Sequence, residues 1–224
     1  MPGKRAIIFV NGEMKNPHAV SRILRSNDLL VAADGGLRHL EELGLQPHYL
    51  VGDMDSLPAS EVERLEQAGA AIRRFPASKD ETDLELALDL VLELGCKMIV
   101  IAAGLGGRTD QMLGNLFLLT RESLSGCDIR LDDGVEEAFL VRGEAEVRGC
   151  AGDLVSLIPL GQAATGVTTR GLQYPLRAET LRPDQTRGIS NVLTEACAQV
   201  QVKTGQLLCI HVRHEAQNCR SEEE

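Results

Sequence analysis

The chain has 224 residues, enough for one large domain or two small ones with a substantial buried core. Its 43% apolar and 25% charged residues fit an ordinary soluble globular protein, and a formal charge of −10 argues against a nucleic-acid partner. No apolar run approaches the roughly 18–20 residues of a membrane span. The N-terminal Ala6–Val10 run is too short for a secretory signal, so the expected location is cytoplasmic. Cys96, Cys127, Cys150, Cys197, Cys209 and Cys219 contain no Cys-x-x-Cys pair, which argues against zinc and fits free thiols in a reducing compartment. With no Trp, four Phe and two Tyr, a planar ligand must be held mostly by other groups.

The first half alternates short apolar runs with helix-like segments. Ala6–Val10 reads as a strand, Val20–Leu30 as a helix, Leu29–Ala33 as a strand, and Leu37–Leu43 as a short helix ended by Gly44. Tyr49–Val51 is the next strand, followed by a helix over Ser60–Ala68 closed by Gly69. Asp80 is the expected cap of a helix carrying Leu84, Ala87, Leu88 and Val91 along one face. Met98–Ala103 reads as a buried strand, and Thr109 or Asp110 opens a helix with Met112, Leu113, Leu116 and Leu119. Strands alternating with helices predict a parallel α/β sheet of Rossmann-like type over residues 1–126.

Past Gly126 the texture changes. Ile129–Leu131, Ala138–Val141, Ala145–Arg148, Leu154–Pro159, Val167–Thr169 and Leu207–Val212 are short strand-like runs separated by Gly, Asp or Pro. Ala196, Ala198, Val200 and Val202 alternate with Cys197, Gln199, Gln201 and Lys203, the period of a half-buried strand. Residues 127–224 therefore read as an all-β sandwich, with His214–Glu224 a polar tail.

The chemistry-bearing residues fall just past the strands. Asn11-Gly12, Asp34-Gly35-Gly36, Gly52-Asp53-Met54-Asp55 and Gly104-Leu105-Gly106-Gly107-Arg108 each follow one. In open α/β sheets ligands bind outside the carboxyl ends of the strands, and glycines there let backbone N–H groups approach phosphate oxygens. Asp53, Asp55, Asp83 and Asp110 could be gathered at that edge. Clustered carboxylates repel unless a cation neutralises them, and Mg²⁺ takes carboxylate and phosphate oxygens together. The edge therefore reads as metal-assisted phosphate chemistry. The glycine-rich run lacks the Lys-Ser/Thr ending of a P-loop and the third glycine of a dinucleotide fingerprint. Taken singly, Asp-Gly-Gly is an ordinary turn, Asp80 a helix cap and Arg108 a surface ion-pair residue; the conjunction carries the functional reading. Arg108 would suit a triphosphate, its planar fork gripping two oxygens. The five His have no readable partner spacing.

Taken together, Ala33-Asp34-Gly35-Gly36, Gly52-Asp53-Met54-Asp55-Ser56, Lys79-Asp80-Glu81-Thr82-Asp83, Gly106-Gly107-Arg108-Thr109-Asp110 with Asn115, and Thr168 to Tyr174 followed by Gly188-Ile189-Ser190-Asn191 resemble the thiamine pyrophosphokinase family. The resemblance spans about residues 6–212, with the motifs in the family's order. Gln111 stands where many bacterial members carry His, and the Trp that stacks on thiamine in animal members is missing. The resemblance implies transfer of a diphosphoryl group from ATP to the thiamine hydroxyl, giving thiamine diphosphate and AMP. It implies Mg²⁺ on Asp53, Asp55 and Asp83, with Arg108 and Asp110 reaching the nucleotide. Asp34, Gly35, Lys79, Gly107, Asn115, Ser190 and Asn191 would line the substrate pockets. It further implies a homodimer with its sites at the subunit interface. Two other readings stay open: a related pyrophosphokinase acting on another heteroaromatic alcohol such as a hydroxymethylpterin, and a silent sensor of nucleotide or thiamine diphosphate.

Overall fold

The fold is mixed α/β, with a large sheet and a second, antiparallel sheet of four strands. The computed structural model describes residues 4–55 and 57–214, so Ser56 and most of the expected polar tail lie outside the described residues. The chain divides into two compact units, Met1–Gly134 and Val135–Glu224.

In the first unit the strands are Lys4–Phe9 (β1), Leu29–Ala33 (β2), Tyr49–Gly52 (β3), Ala71–Arg74 (β4), Cys96–Ala102 (β5) and Asp128–Asp132 (β6). All run parallel, in the order β6-β5-β1-β2-β3-β4. The helices are Pro17–Ile23 (α1), Leu37–Glu42 (α2), Ala59–Gln67 (α3), Asp83–Glu93 (α4) and Thr109–Leu118 (α5). A parallel strand covered on both faces has no polar side, which is why Ala6–Phe9 is wholly buried. One core cluster joins Ile7, Phe9, Val20, Ala32, Leu37, Leu40, Leu50 and Leu65 from strands and helices alike. The helix α1 is shorter than the expected Val20–Leu30 and begins at Pro17, capped by Asn16, whose side chain accepts from the Ala19 N–H at 3.0 Å. The glycines expected to end α2 and α3, Gly44 and Gly69, both have left-handed backbones, with φ of 69° and 95°.

Three departures affect the site. The helix α4 is capped by Thr82, whose hydroxyl accepts from the Glu85 N–H at 3.2 Å, so Asp80 is not the cap and Asp83 is the first helical residue. β4 was not anticipated, because Ala-Ile-Arg-Arg carries too little apolar pattern. β6, whose Ile129–Leu131 run reads as the first short strand of the β half, pairs in parallel register with β5, from Met98↔Asp128 to Ala102↔Asp132.

The second unit holds Glu136–Val141 (β7), Glu144–Arg148 (β8), Leu154–Pro159 (β9), Ala164–Arg170 (β10), Glu179–Leu181 (β11), Asn191–Val192 (β12), Cys197–Gln201 (β13) and Leu207–Val212 (β14). Its antiparallel strands run β12-β9-β14-β7 in one set and β11-β10-β13-β8 in the other. Phe139, Val155, Leu157 and Leu207 of the first set share one buried cluster with Val147, Val167, Leu181 and Val200 of the second. The alternation read over 196–203 is realised in β13, where Ala198 and Val200 are buried between exposed Gln199 and Gln201. Among the described residues, Cys96, Cys127, Cys197 and Cys209 are free thiols.

Gly36 ties this frame to the site. A Cβ there would press on the Phe9 carbonyl and come within 2.9 Å of Val10 Cα, backbone that cannot swing aside. Gly36→Ala is expected to destabilise the protein by about 1–3 kcal/mol, the usual cost of overpacking. Urea unfolding checks this through a lower midpoint at unchanged slope.

Candidate active site

The carboxyl ends of β1, β2, β3 and β5 open onto one cleft of about 650 Å³. Three non-glycine residues with left-handed backbone sit at three of those ends: Asp34 after β2 (φ 43°), Met54 after β3 (φ 65°) and Ala103 after β5 (φ 60°). Such conformations are costly for residues with a Cβ and concentrate where side chains must be aimed. The turns are also tightly packed. A Cβ on Gly12 would strike the Ala103 carbonyl, and one on Gly35 would lie 2.5 Å from the Asn11 amide nitrogen.

These turns bring the carboxylates of Asp34, Asp53 and Asp55 within 4.8 Å of one another. The electrostatics follow from that crowding. The Asp55 N–H donates to Asp53 Oδ1 at 3.1 Å and, with the charge of Lys79, holds the Asp53 carboxyl below its ordinary value. Asp55 is pushed the other way, first by the charge of Asp53 and further by those of Asp34 and Asp83. Two neighbouring acids are thus split, one easier and one harder to ionise.

Asp83 enters from the first turn of α4, where the helix dipole favours a negative group. It pairs with Lys79 at 2.7 Å, four residues earlier. Gly52 lies between this pair and the cluster: a Cβ there would sit 3.1 Å from Asp34 Cβ and 3.3 Å from Asp83 Oδ1. On the far wall Gly107, Arg108 and Asn115 line the cleft. Arg108 and Asp110 bind each other through two contacts of 2.6 and 3.2 Å, with both side chains mostly exposed. An exposed pair of this kind contributes little stability and can exchange its partner for a ligand at small cost. The Asn115 side chain donates to the Gly104 carbonyl at 2.9 Å and holds the glycine-rich loop in place.

Ser190 and Asn191 lie in the second unit. Ser190 is left-handed (φ 58°), and Asn191 is buried with its amide spanning the Tyr174 peptide groups. It accepts from the Tyr174 N–H at 3.0 Å and donates to the Tyr174 carbonyl at 2.7 Å. Tyr174 itself is 58% exposed, an aromatic ring held out on a clamped backbone.

Sequence reasoning passed over three contributors. Arg38 lines the cleft and donates to the Gly12 carbonyl at 2.7 Å, and His39 contacts the same oxygen at 3.0 Å. Burial lowers the His39 pKa, so the ring is neutral near pH 7. Asn11 was seen only as a turn residue. A lone cation at the second position of a helix belongs to no motif, and the only available signal is its place just after Asp34-Gly35-Gly36.

Residues 20–131 match the thiamin pyrophosphokinase catalytic domain, and residues 143–209 match the thiamin pyrophosphokinase vitamin B1 binding domain. The chain belongs to the thiamin pyrophosphokinase family. A thiamine pyrophosphokinase of Bacillus subtilis is 33% identical over 184 residues, covering 81% of this chain and 86% of that protein. A crystal structure of thiamine pyrophosphokinase from Bacillus subtilis superposes with a TM-score of 0.83 at 29% identity, covering 94% of this chain and all of that one. The thiamin pyrophosphokinase structure from Candida albicans, at 17% identity and a TM-score of 0.78 over 93% of this chain and 88% of that one, shares the fold. Among the described residues, no helix is long and apolar enough to cross a membrane.

For this member of the family, the split acids give a direct test. In Asp53→Asn the Asp55 carboxyl should fall back toward its ordinary value of 3.8, because its chief perturbing charge is gone. Carboxyl carbon NMR titration of the two proteins measures this. An unmoved Asp55 would show that the Asp53 charge is not the cause of its shift.

Proposed function

We propose that the chain is a thiamine pyrophosphokinase, moving a diphosphoryl group from ATP to the hydroxyl of thiamine to give thiamine diphosphate and AMP. The observation that carries this reading is the cluster of Asp34, Asp53 and Asp55 within 4.8 Å, facing the Lys79–Asp83 pair in a glycine-lined cleft. This donor set suits Mg²⁺: hard carboxylate oxygens, mutually repelled, with Asp55 held above its ordinary pKa until a cation relieves it. Asp34, Asp53 and Asp55 would hold the ion, with Asp83 added from α4. Bound there, Mg²⁺ would neutralise charge on the phosphoryl oxygens.

The rest falls to the chain's own residues. Lys79, Arg38 and Arg108 offer cations to the triphosphate, and the backbone of Gly12, Gly35 and Gly107 lets it approach closely. The hydroxyl oxygen of thiamine attacks the β-phosphorus, the bond from that phosphorus to the α,β-bridging oxygen breaks, and its electron pair leaves on AMP. The hydroxyl proton passes to a carboxylate or to solvent. Alignment and electrostatic stabilisation supply most of the acceleration. Tyr174, exposed and rigidly backed by Asn191, is the ring platform in a chain without Trp, with Ser190 preceding Asn191 on the chain. In this reading the first unit is a Rossmann-like catalytic domain and the second a β-sandwich carrying the vitamin site. The enzyme works in the cytoplasm as a homodimer with its sites at the subunit interface.

Incubation with ATP, Mg²⁺ and thiamine should yield AMP and thiamine diphosphate in equal amounts. ADP with thiamine monophosphate would sink diphosphoryl transfer, and turnover confined to a pterin alcohol would reassign the acceptor. Asp83→Asn should lower kcat by about a hundredfold or more, the scale of losing a key electrostatic group. Near-normal turnover in that variant would leave Asp83 a helix-start residue only.

A further inference from the structure

The second unit buries charge that the cleft does not use. His211 on β14 is fully buried, with Nε2 2.8 Å from Asp153 Oδ2. On its other side Nδ1 lies 3.6 Å from Glu137 Oε2 of β7, too far for a hydrogen bond but close for a charge. Arg213 stands 3.8 Å from the same Glu137 oxygen. The Asp153 carboxylate also accepts from the N–H groups of Cys150 at 2.9 Å and His214 at 3.0 Å. Backbone closes over the pair: a Cβ on Gly149 would come within 2.6 Å of His211 Nε2.

A buried ion pair is weak evidence for stability, since apolar side chains of equal volume serve as well or better. Its connections are more informative. The Asp153 carbonyl accepts from the Leu193 N–H at 2.8 Å, and the Leu193 carbonyl accepts from the Gly152 N–H at 2.8 Å. Across the strands, Glu137, His211, Val155 and Asn191 stand opposite one another in register on β7, β14, β9 and β12. Asn191 then grips the Tyr174 peptide, and the Gln173 N–H bonds the Val192 carbonyl at 2.9 Å. An unbroken line of hydrogen bonds and strand pairing therefore runs from the buried imidazole to the backbone of Tyr174, which carries the exposed phenol ring.

We propose that the His211–Asp153 pair is a positioning device that, through β9, β12 and Asn191, sets where Tyr174 presents its ring, and so tunes affinity for thiamine without touching it. The proposal rests on the functional reading given above for Tyr174. The titratable and charged groups around His211 are Glu137 from β7, Asp153 from the turn before β9, and Arg213 and His214, which follow His211 on the chain. Burial acts to lower the His211 pKa, but the carboxylates of Glu137 and Asp153 outweigh burial and Arg213 and raise it above 6.5. Asp153 is lowered: burial acts to raise it, and the Cys150 and His214 N–H groups with His211 overcome that. A raised imidazole is fully charged below its ordinary value and loses the pair as pH rises through the raised one, whereas a lowered carboxylate fails only in acid.

The test is steady-state AMP release by the whole protein from about pH 6 to about pH 9, around the free imidazole value, with His211 titration followed by imidazole NMR. KM for thiamine should climb along the His211 titration while KM for ATP stays level. His211→Gln and Asp153→Asn should raise KM for thiamine about tenfold, the effect of a small misplacement, and leave kcat at saturating thiamine unchanged. A thiamine KM that stays flat through the His211 inflection overturns the proposal even if neither variant folds, and so does an equal change in both KM values. Wild-type protein that releases no AMP overturns the functional reading, and the proposal with it.

Discussion

Mutual repulsion among carboxylates is the constraint on which the first unit is built. Asp34, Asp53 and Asp55 are held within 4.8 Å, where the charges of Asp53 and Asp34 oppose ionisation of Asp55. Nothing in a parallel sheet requires this; the strands need only pair and be covered. The turns hold the acids together, with Asp34 and Met54 in left-handed conformations and Gly35 and Gly36 packed against the first strand's exit. The tightly paired core of β1, β2, β3 and β5 supplies the rigidity against which that strain is stored. Lys79 offsets part of the charge through Asp83 and steadies Asp53.

The second unit handles charge the opposite way. There His211 and Asp153 are taken out of water together, and the Asp153 carboxylate also accepts from two backbone N–H groups. One unit thus keeps an open, under-neutralised anionic cluster, and the other a closed, nearly compensated one. The first arrangement invites a ligand; the second fixes geometry.

Much of this was legible in the chain, for identifiable reasons. Strand runs ending in Asp-Gly-Gly or Gly-Asp-Met-Asp placed Asp34, Asp53 and Asp55 at strand ends, because a parallel strand must be followed by a turn at the ligand-binding edge. Asp83 was seen, but its cap was misplaced: Asp80 and Thr82 are both capping residue types, and only the Thr82 hydroxyl reaches the Glu85 N–H. Ile129–Leu131 reads as a strand, yet a short apolar run does not reveal whether its partner is parallel, so a border at 126 sets β6 apart from β5, while the compact units divide after Gly134. The clamp of Asn191 on Tyr174 spans 17 residues through a loop, beyond any local periodicity. The His211–Asp153 pair is separated by 58 residues and was invisible for the same reason.

β4 carries a consequence of another kind. It is the last strand beside β3, and two of its four residues are the exposed arginines Arg73 and Arg74. An outermost strand leaves backbone donors and acceptors unsatisfied and can template the addition of another chain. A four-residue edge bearing two like charges resists this, because a second copy adding there would bring cation against cation. The poor apolar pattern that hides β4 in the sequence is thus the same property that disfavours addition of a further strand at this edge.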